Sequence, residues 1–272
     1  MSSSHVTPNA NPFRAARRED LEARLPARAF GRPLYWVDEV DSTNRVLLEW
    51  ATEGYPEGTV LVADYQTAGR GRRGRRWVAP PGTGLLLSVL LRPRRGIPQL
   101  PLLTGVAVAE AVEACAGVRV ELKWPNDVLV SGRKVAGILA EAVTEGEQVS
   151  VVVGVGINVS VPREVLATLP APATSLHLEA DHPVSREELL LALLSRWKAH
   201  YDVLQLGEWS LGEWRTRAPM LGKPVRVEMS GEVWEGVALD VTEEGALLVR
   251  DTDGNLHTVY AGDVTVRLEG QA

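Results

Sequence analysis

The apolar residues of this chain change period from segment to segment, and each change predicts a different element. Residues 34–40 read as a strand. Residues 45–51 place Val46, Leu47 and Trp50 on one helical face, after Asp41-Ser42-Thr43-Asn44, where Asp and Ser are good N-caps. Gly54 closes that helix. Residues 59–65 predict a strand. Residues 85–91 are apolar except for Ser88, so they predict a strand buried on both faces. Residues 102–116 have helical spacing. Residues 118–124 and 128–130 predict short strands around a Pro-Asn-Asp turn, and Gly132-Arg133 turns the chain into a strand over 135–143. Residues 149–159 predict another, with Gly154 and Gly156 near its end. Ser185 and Glu188 have capping-box spacing and open a helix to about Gln205, with Leu189, Leu193, Trp197 and Tyr201 on its buried side. At the other end, residues 1–12 are rich in Ser, Asn and Pro and predict disorder. A short helix ending before Pro26 follows.

From about Pro219 the texture changes. Five short Val/Leu-rich segments are separated by turns at Ser230-Gly231, Glu244-Gly245, Asp253-Gly254 and Ala261-Gly262. That spacing predicts a small all-β unit. The division expected is a flexible segment and short helix over 1–30, an α+β domain over 31–218, and a β-barrel over 219–272.

Composition narrows the class. Apolar residues make up 45% of the 272 and charged residues 24%, an ordinary soluble mixture. No apolar run approaches the ~18 residues of a membrane span, and no basic-then-apolar secretory leader opens the chain. Cys115 is the single cysteine; it forms no intrachain disulfide and reads as core in a cytoplasmic protein. The net charge of −6 argues against nucleic acid as a partner of the whole chain. The histidines lack metal-ligand spacing, with His177 and His182 in a predicted loop.

One local run goes against the acidic balance. Gly69-Arg70-Gly71-Arg72-Arg73-Gly74-Arg75-Arg76-Trp77 packs arginines together with no acid nearby in sequence. A solvated surface loop is the bland reading. Gly69, Gly71 and Gly74 also spell the dinucleotide fingerprint, but Trp77-Val78-Ala79-Pro80-Pro81-Gly82 cannot open the helix that fingerprint requires. Nucleic-acid binding is disfavoured because no aromatics alternate with the charges. A loop that grips phosphate or carboxylate through the planar arginine fork is the remaining reading.

Lys123-Trp124-Pro125-Asn126-Asp127 places a cation, an amide and a carboxylate on one turn. Lys123 suits a phosphate and Asp127 suits Mg²⁺; alone, the pattern is equally a polar turn. Lys134 precedes an apolar strand, where it can snorkel. Gly154 and Gly156 imply a bulge or a close approach by another group. Asn158 can satisfy a purine edge or a buried backbone group.

Together DSTN, GRGRRGRRW, KWPNDV, GRKVAGIL and GVGINV, in that order, resemble the biotin–protein ligase family over residues 34–160, and the C-terminal unit looks like that family's small barrel. The resemblance implies a class II synthetase-like mixed sheet with helices, followed by an SH3-like β-barrel. It implies that Ser42, Thr43, Asn44 and Gln66 bind the biotin ring system. Arg70, Gly71, Arg72, Lys134 and Gly137 would line the biotin site up to the carboxylate–phosphate junction. Arg70, Arg72, Trp77, Lys123, Asn126 and Asn158 would serve ATP, and Asp127 the Mg²⁺. Arg72, Lys123 and Lys134 would be the catalytic cations. Arg45 stands where the family leads one to expect Gln and is given no role.

The implied partners are biotin, ATP and a biotin carboxyl carrier domain of acetyl-CoA carboxylase, with a homodimer left open. Only 41 residues precede Ser42, too few for a winged helix, so a ligase without DNA binding is expected. A lipoate–protein ligase and a biotin-sensing DNA-binding regulator are the alternatives. The loop over 70–76 is expected to be mobile until an adenylate binds.

Overall fold

A computed structural model describes residues 19–229, 231–260 and 262–266. The segment expected to be disordered, residues 1–12, lies outside them. Residues 19–24 are helical and stop just before Pro26.

The strands β1 (Leu34–Val40), β2 (Val60–Gln66), β3 (Gly84–Leu91), β4 (Glu121–Lys123), β5 (Asp127–Val130), β6 (Arg133–Glu145) and β7 (Gln148–Asn158) form one sheet. Its order is β1-β2-β3-β7-β6-β5-β4. β1 and β2 run parallel and the remaining neighbours antiparallel. The strand expected over 118–124 is shorter. That expected over 135–143 begins earlier, because Arg133 and Lys134 pair with β5. β6 runs on to Glu145 while β7 starts at Gln148, because those two residues pair.

Alternation sorts the sheet's two faces. Val60 and Val62 of β2, with Leu85, Leu87 and Val89 of β3, pack on helices α2 (Leu100–Ala116) and α3 (Arg186–Leu206). Leu61, Ala63 and Leu90 face the other way, onto Val46, Leu47 and Trp50 of α1 (Thr43–Thr52). Every residue of β3 is buried, as its apolar run predicts. Ser88 is therefore a fully buried hydroxyl on the α1 face, between Leu86 and Leu90. Such a group must find partners, because an unpaired buried hydroxyl costs roughly 1–3 kcal/mol.

Helix α2 begins beside Pro101 and ends at left-handed Gly117. The expectation that no apolar run nears the length of a membrane span is corrected at 97–116, which is long and apolar enough by composition; 67% of its apolar window is buried here, against the sheet and α3. In α3 the hydroxyl of Ser185 accepts from the Glu188 amide at 3.3 Å. The reciprocal half of the capping box is not made, because Glu188 pairs with Arg24 instead. Short helical turns at Arg163–Leu166, Leu176–Glu179 and Gly212–Thr216 had no clear apolar period to announce them. The second contains His177, which was expected in a loop.

Strands β8 (Pro224–Met229), β9 (Glu232–Val241), β10 (Leu247–Asp251), β11 (Leu256–Val259) and β12 (Asp263–Val266) form an antiparallel sheet in the order β11-β10-β9-β8-β12. Its interior is continuous with the main core through Met220 and Trp124. The Trp124 indole is fully buried and donates to the Gly245 carbonyl at 3.0 Å. The Lys-Trp-Pro-Asn-Asp turn is thereby anchored to the C-terminal unit.

Candidate active site

A cavity of about 450 Å³ opens on the sheet face that carries α1. At one end lie Ser42, Thr43 and Asn44, where α1 begins, and Gln66, where β2 ends. Ser42 takes the N-cap position but makes no side-chain cap; the Asp41 carboxylate accepts from its amide instead. Gln66 Oε1 accepts from the Thr43 amide at 2.8 Å and lies 3.1 Å from Thr43 Oγ1. Ser88 Oγ is 2.7 Å from Thr43 Oγ1 and 2.6 Å from Asn44 Oδ1, so the buried hydroxyl finds its partners in this cluster. Asn44 Nδ2 donates to the Leu139 carbonyl at 3.1 Å and to Glu141 Oε2 at 2.8 Å.

The glycines of β6 and β7 are explained by what lies over them. A Cβ at Gly154 would come 2.1 Å from Asn44 Oδ1, and one at Gly156 would come 2.5 Å from the Trp77 ring. One at Gly137 would stand 3.0 Å from that ring. Close approach, not a bulge, is the reason for both strand glycines. Two buried polar atoms of cavity residues lack a partner among the described residues: Trp77 Nε1 and Asn158 Oδ1. The Asn158 amide nitrogen is used by the Thr174 carbonyl at 3.0 Å, which leaves its oxygen for a ligand donor.

The arginine segment is a folded hairpin. Arg70 and Arg76 bridge its neck, Gly71 N donates to the Arg75 carbonyl at 2.7 Å, and Arg72–Gly74 form a tight turn with Arg73 at φ 54°. The acids absent from its sequence neighbourhood arrive from elsewhere. Asp263 of β12 lies 2.9 Å from Arg75, 3.3 Å from Arg73 and 3.9 Å from Arg72. Glu228 of β8 lies 3.6 Å from Arg73, and Glu141 of β6 lies 3.0 Å from Arg70. The expectation of an uncompensated loop is corrected by these long-range pairs, which no local sequence window contains. Burial pushes the Asp263 carboxyl up, but the Arg75 and Arg73 guanidiniums outweigh it and hold it below the usual carboxylate range. Arg72 is shifted down, first by burial and against the pull of Asp263. It donates to Asn126 Oδ1 at 3.3 Å and to the Gly262 carbonyl at 3.2 Å.

This arrangement makes a first prediction. Asp263→Ala frees three arginines from one carboxylate and should raise the rate of trypsin cleavage after residues 70–76 several-fold. Peptide mapping of a limited digest checks it; an unchanged cleavage rate would show that the barrel does not restrain the loop.

At the far end of the cavity Lys134 Nζ lies 2.5 Å from Asp127 Oδ1 and 5.7 Å above the Trp77 ring. Asn126 acts as a brace, donating to the Ile138 carbonyl at 2.7 Å while accepting from Arg72. Arg70, Gly71, Arg72, Trp77, Asn126, Lys134, Gly137 and Asn158 all line the cavity together with the Ser-Thr-Asn cluster and Gln66. Lys123 and Asp127 do not line it. They face each other across β4 and β5, with Asp127 behind Lys134. Among the described residues no three His, Cys, Asp or Glu side chains gather around one point. Asp127, one carboxylate paired with Lys134, makes no resident all-protein cage; a lone carboxylate is the protein share needed only by a Mg²⁺ ion carried on phosphates. Arg45 is engaged by Asp41 and Glu49 on the surface of α1.

Several residues of the cavity wall, and two behind it that bond to Asn44 (Ser88 and Glu141), receive no role from the sequence. Ser88 was visible as the lone polar residue of an apolar strand. Leu139 and Glu141 follow Gly137 at period two, so the alternation of β6 could have placed them on the same face. The wall at Leu169, Pro170, Ala171 and Ala173 lies in irregular chain with no signal.

Comparison with known proteins agrees with this geometry. The biotin/lipoate A/B protein ligase family matches residues 36–158, and the biotin protein ligase C-terminal domain matches residues 220–267. The bifunctional ligase/repressor BirA of Bacillus subtilis is 36% identical, over 90% of this chain and 77% of its own length. The biotin–[acetyl-CoA-carboxylase] ligase of Mycobacterium tuberculosis is 38% identical, over 86% of this chain and 88% of its own. The biotin protein ligase of Aquifex aeolicus, solved in complex with biotin and ATP, superposes with a TM-score of 0.73 at 33% identity, over 86% of this chain and 98% of that one. With its sheet and its small barrel both matched, and with relatives aligned over most of their own lengths, the chain belongs to the biotin protein ligase family.

Proposed function

We propose that this protein joins biotin to ATP as biotinyl-5′-AMP and then transfers the biotinyl group to a lysine of a carrier domain, that of acetyl-CoA carboxylase being the expected acceptor. The observation that carries this reading is the two-ended cavity: a buried hydrogen-bonding cluster at one end and Arg72 with Lys134 at the other. The fused ureido ring of biotin offers N–H donors and a carbonyl acceptor to the first end. The dithiolane of lipoate offers neither, so the same cluster favours biotin over lipoate.

In the first step a carboxylate oxygen attacks the α-phosphorus and pyrophosphate leaves. Both reactants are anions, so Arg72 and Lys134 hold them together and stabilise the charge that spreads over the transferring phosphoryl oxygens. Lys123 pairs with Asp127 across β4 and β5, outside the cavity wall, and would reach the leaving phosphates only as a cation behind that wall. Mg²⁺, when bound, neutralises phosphate charge, and Asp127 is the side chain that would hold it. Asn158 Oδ1 is available to an amino group of the base. In the second step the lysine amine attacks the carbonyl carbon, loses its proton, and AMP leaves. No covalent enzyme intermediate is required. We propose no nucleic-acid partner, given the net charge of −6.

The direct test mixes the protein with ATP, Mg²⁺, labelled biotin and a carrier domain; absence of label on the carrier lysine would overturn the reading. Asp127→Asn should raise the Mg²⁺ needed for half-maximal pyrophosphate release by roughly tenfold, since an amide is a poorer ligand for a hard cation. A Mg²⁺ dependence unchanged from the parent protein would leave Asp127 as the partner of Lys134 alone.

A further inference from the structure

On the reading that this cavity takes biotin, we propose that Glu141 is a positioning residue with two tasks. It fixes the hydrogen-bonding polarity of Asn44 at the ring end of the cavity, and it ties that end to the arginine loop.

The first task follows from counting hydrogens. An amide nitrogen carries two. On Asn44 both are taken, one by the Leu139 carbonyl and one by Glu141 Oε2. Both partners are acceptors only, so the nitrogen of Asn44 must face them and the oxygen is turned the other way, to Ser88 and over Gly154 in the cavity wall. The Asn44 oxygen receives Ser88 Oγ at 2.6 Å and keeps its second lone pair. Asn44 therefore meets a ligand as an acceptor, the complement of a ring N–H. Without Glu141 only the Leu139 carbonyl holds the nitrogen, so the amide can turn over and present an N–H to a ligand N–H that cannot accept it.

The second task rests on the other carboxylate oxygen. Glu141 Oε1 lies 3.0 Å from Arg70, at the neck of the hairpin where Arg70 bridges Arg76. A single side chain thus touches the residue that receives the ring and the residue that opens the loop. Arg70 is half-exposed, so solvent weakens this ion pair. Its role is to link ring occupancy to the loop and not to hold the fold together. No sequence motif marks Glu141; only the alternation of β6 places it on the cavity face beside Leu139 and Gly137.

The test is a double-mutant cycle on biotin affinity, read by calorimetry without ATP. Asn44→Ala and Glu141→Ala are each expected to weaken biotin binding at least tenfold. The double variant is expected to be no weaker than Asn44→Ala, because Glu141 acts through Asn44. Glu141→Gln keeps the volume and one acceptor oxygen but loses the charge toward Arg70. Biotin is expected to slow trypsin cleavage of residues 70–76 in the parent protein, an unchanged rate there also overturning the second task; Glu141→Gln should recover most of the affinity while losing that protection. Penalties that add in the double variant would overturn the first task, and full protection in Glu141→Gln would overturn the second. If Glu141→Ala does not fold, Glu141→Gln carries the cycle, with any penalty expected to vanish in the Asn44→Ala background. A parent protein that binds no biotin would overturn the reading of the cavity itself, and the proposal with it.

Discussion

Lys134→Ala is expected to lower the rate of pyrophosphate release at saturating biotin and ATP by about two to three orders of magnitude, the usual cost of losing one preorganised group that stabilises transition-state charge. Its position makes the effect specific. The backbone of Lys134 is pinned on both sides, its amide donating to the Pro172 carbonyl at 3.0 Å and its carbonyl accepting from Thr174 at 2.9 Å. The side chain leaves that fixed point between Asp127 and the Trp77 ring and reaches the cavity. An alanine keeps the backbone bonds, so the fold should stand. ATP binding should change far less than the chemical step, because the triphosphate is gripped over many atoms. Lys134→Arg keeps the charge but not the shape, and should recover only part of the rate. Pyrophosphate release is measured under single-turnover conditions alongside nucleotide affinity. A rate within threefold of the parent would remove Lys134 from the reacting centre.

How far the sequence could be read depends on whether a residue's role is local. β3 announced itself, because a strand buried on both faces needs an unbroken apolar run. The C-terminal strands were legible from their turn glycines, and left-handed backbone at Gly231, Gly245 and Gly254 confirms why glycine stands there. The cavity residues carried by motifs were legible as a set. What joins them was not. Asp263 reaches the arginine hairpin, and Gly245 reaches Trp124, across more than a hundred positions. No periodicity encodes such pairs, since each depends on how the barrel docks on the sheet. Asp127 looked like a free metal ligand because its ion-pair partner, Lys134, sits on the next strand. Glu141 receives no role from the sequence, since it falls within the strand expected over 135–143 and no motif marks it.

The second large effect is expected at Gly154, where the strand contains no turn and its backbone is not left-handed. Alanine is therefore acceptable to the backbone there, and the whole cost is steric. The added methyl would lie 2.1 Å from Asn44 Oδ1 and 2.9 Å from its Cγ, distances no packed structure tolerates. β7 cannot retreat, because it is paired on both sides by β3 and β6. Asn44 must move, and its bonds to Ser88, Leu139 and Glu141 go with it. Overpacking of this kind costs about 1–3 kcal/mol, so Gly154→Ala should fold with a lowered Tm. Biotin affinity should fall by about a hundredfold or more, since the ring end loses its acceptor and buried polar groups are left unpaired. Adding Asn44→Ala to Gly154→Ala removes the clash and should restore most of the lost Tm without restoring biotin binding. That separation of stability from affinity is the decisive measurement. A Gly154→Ala protein that binds biotin like the parent would show that Asn44 does not receive the ring. Recovery of both properties in the double variant would show that Asn44 matters for packing alone.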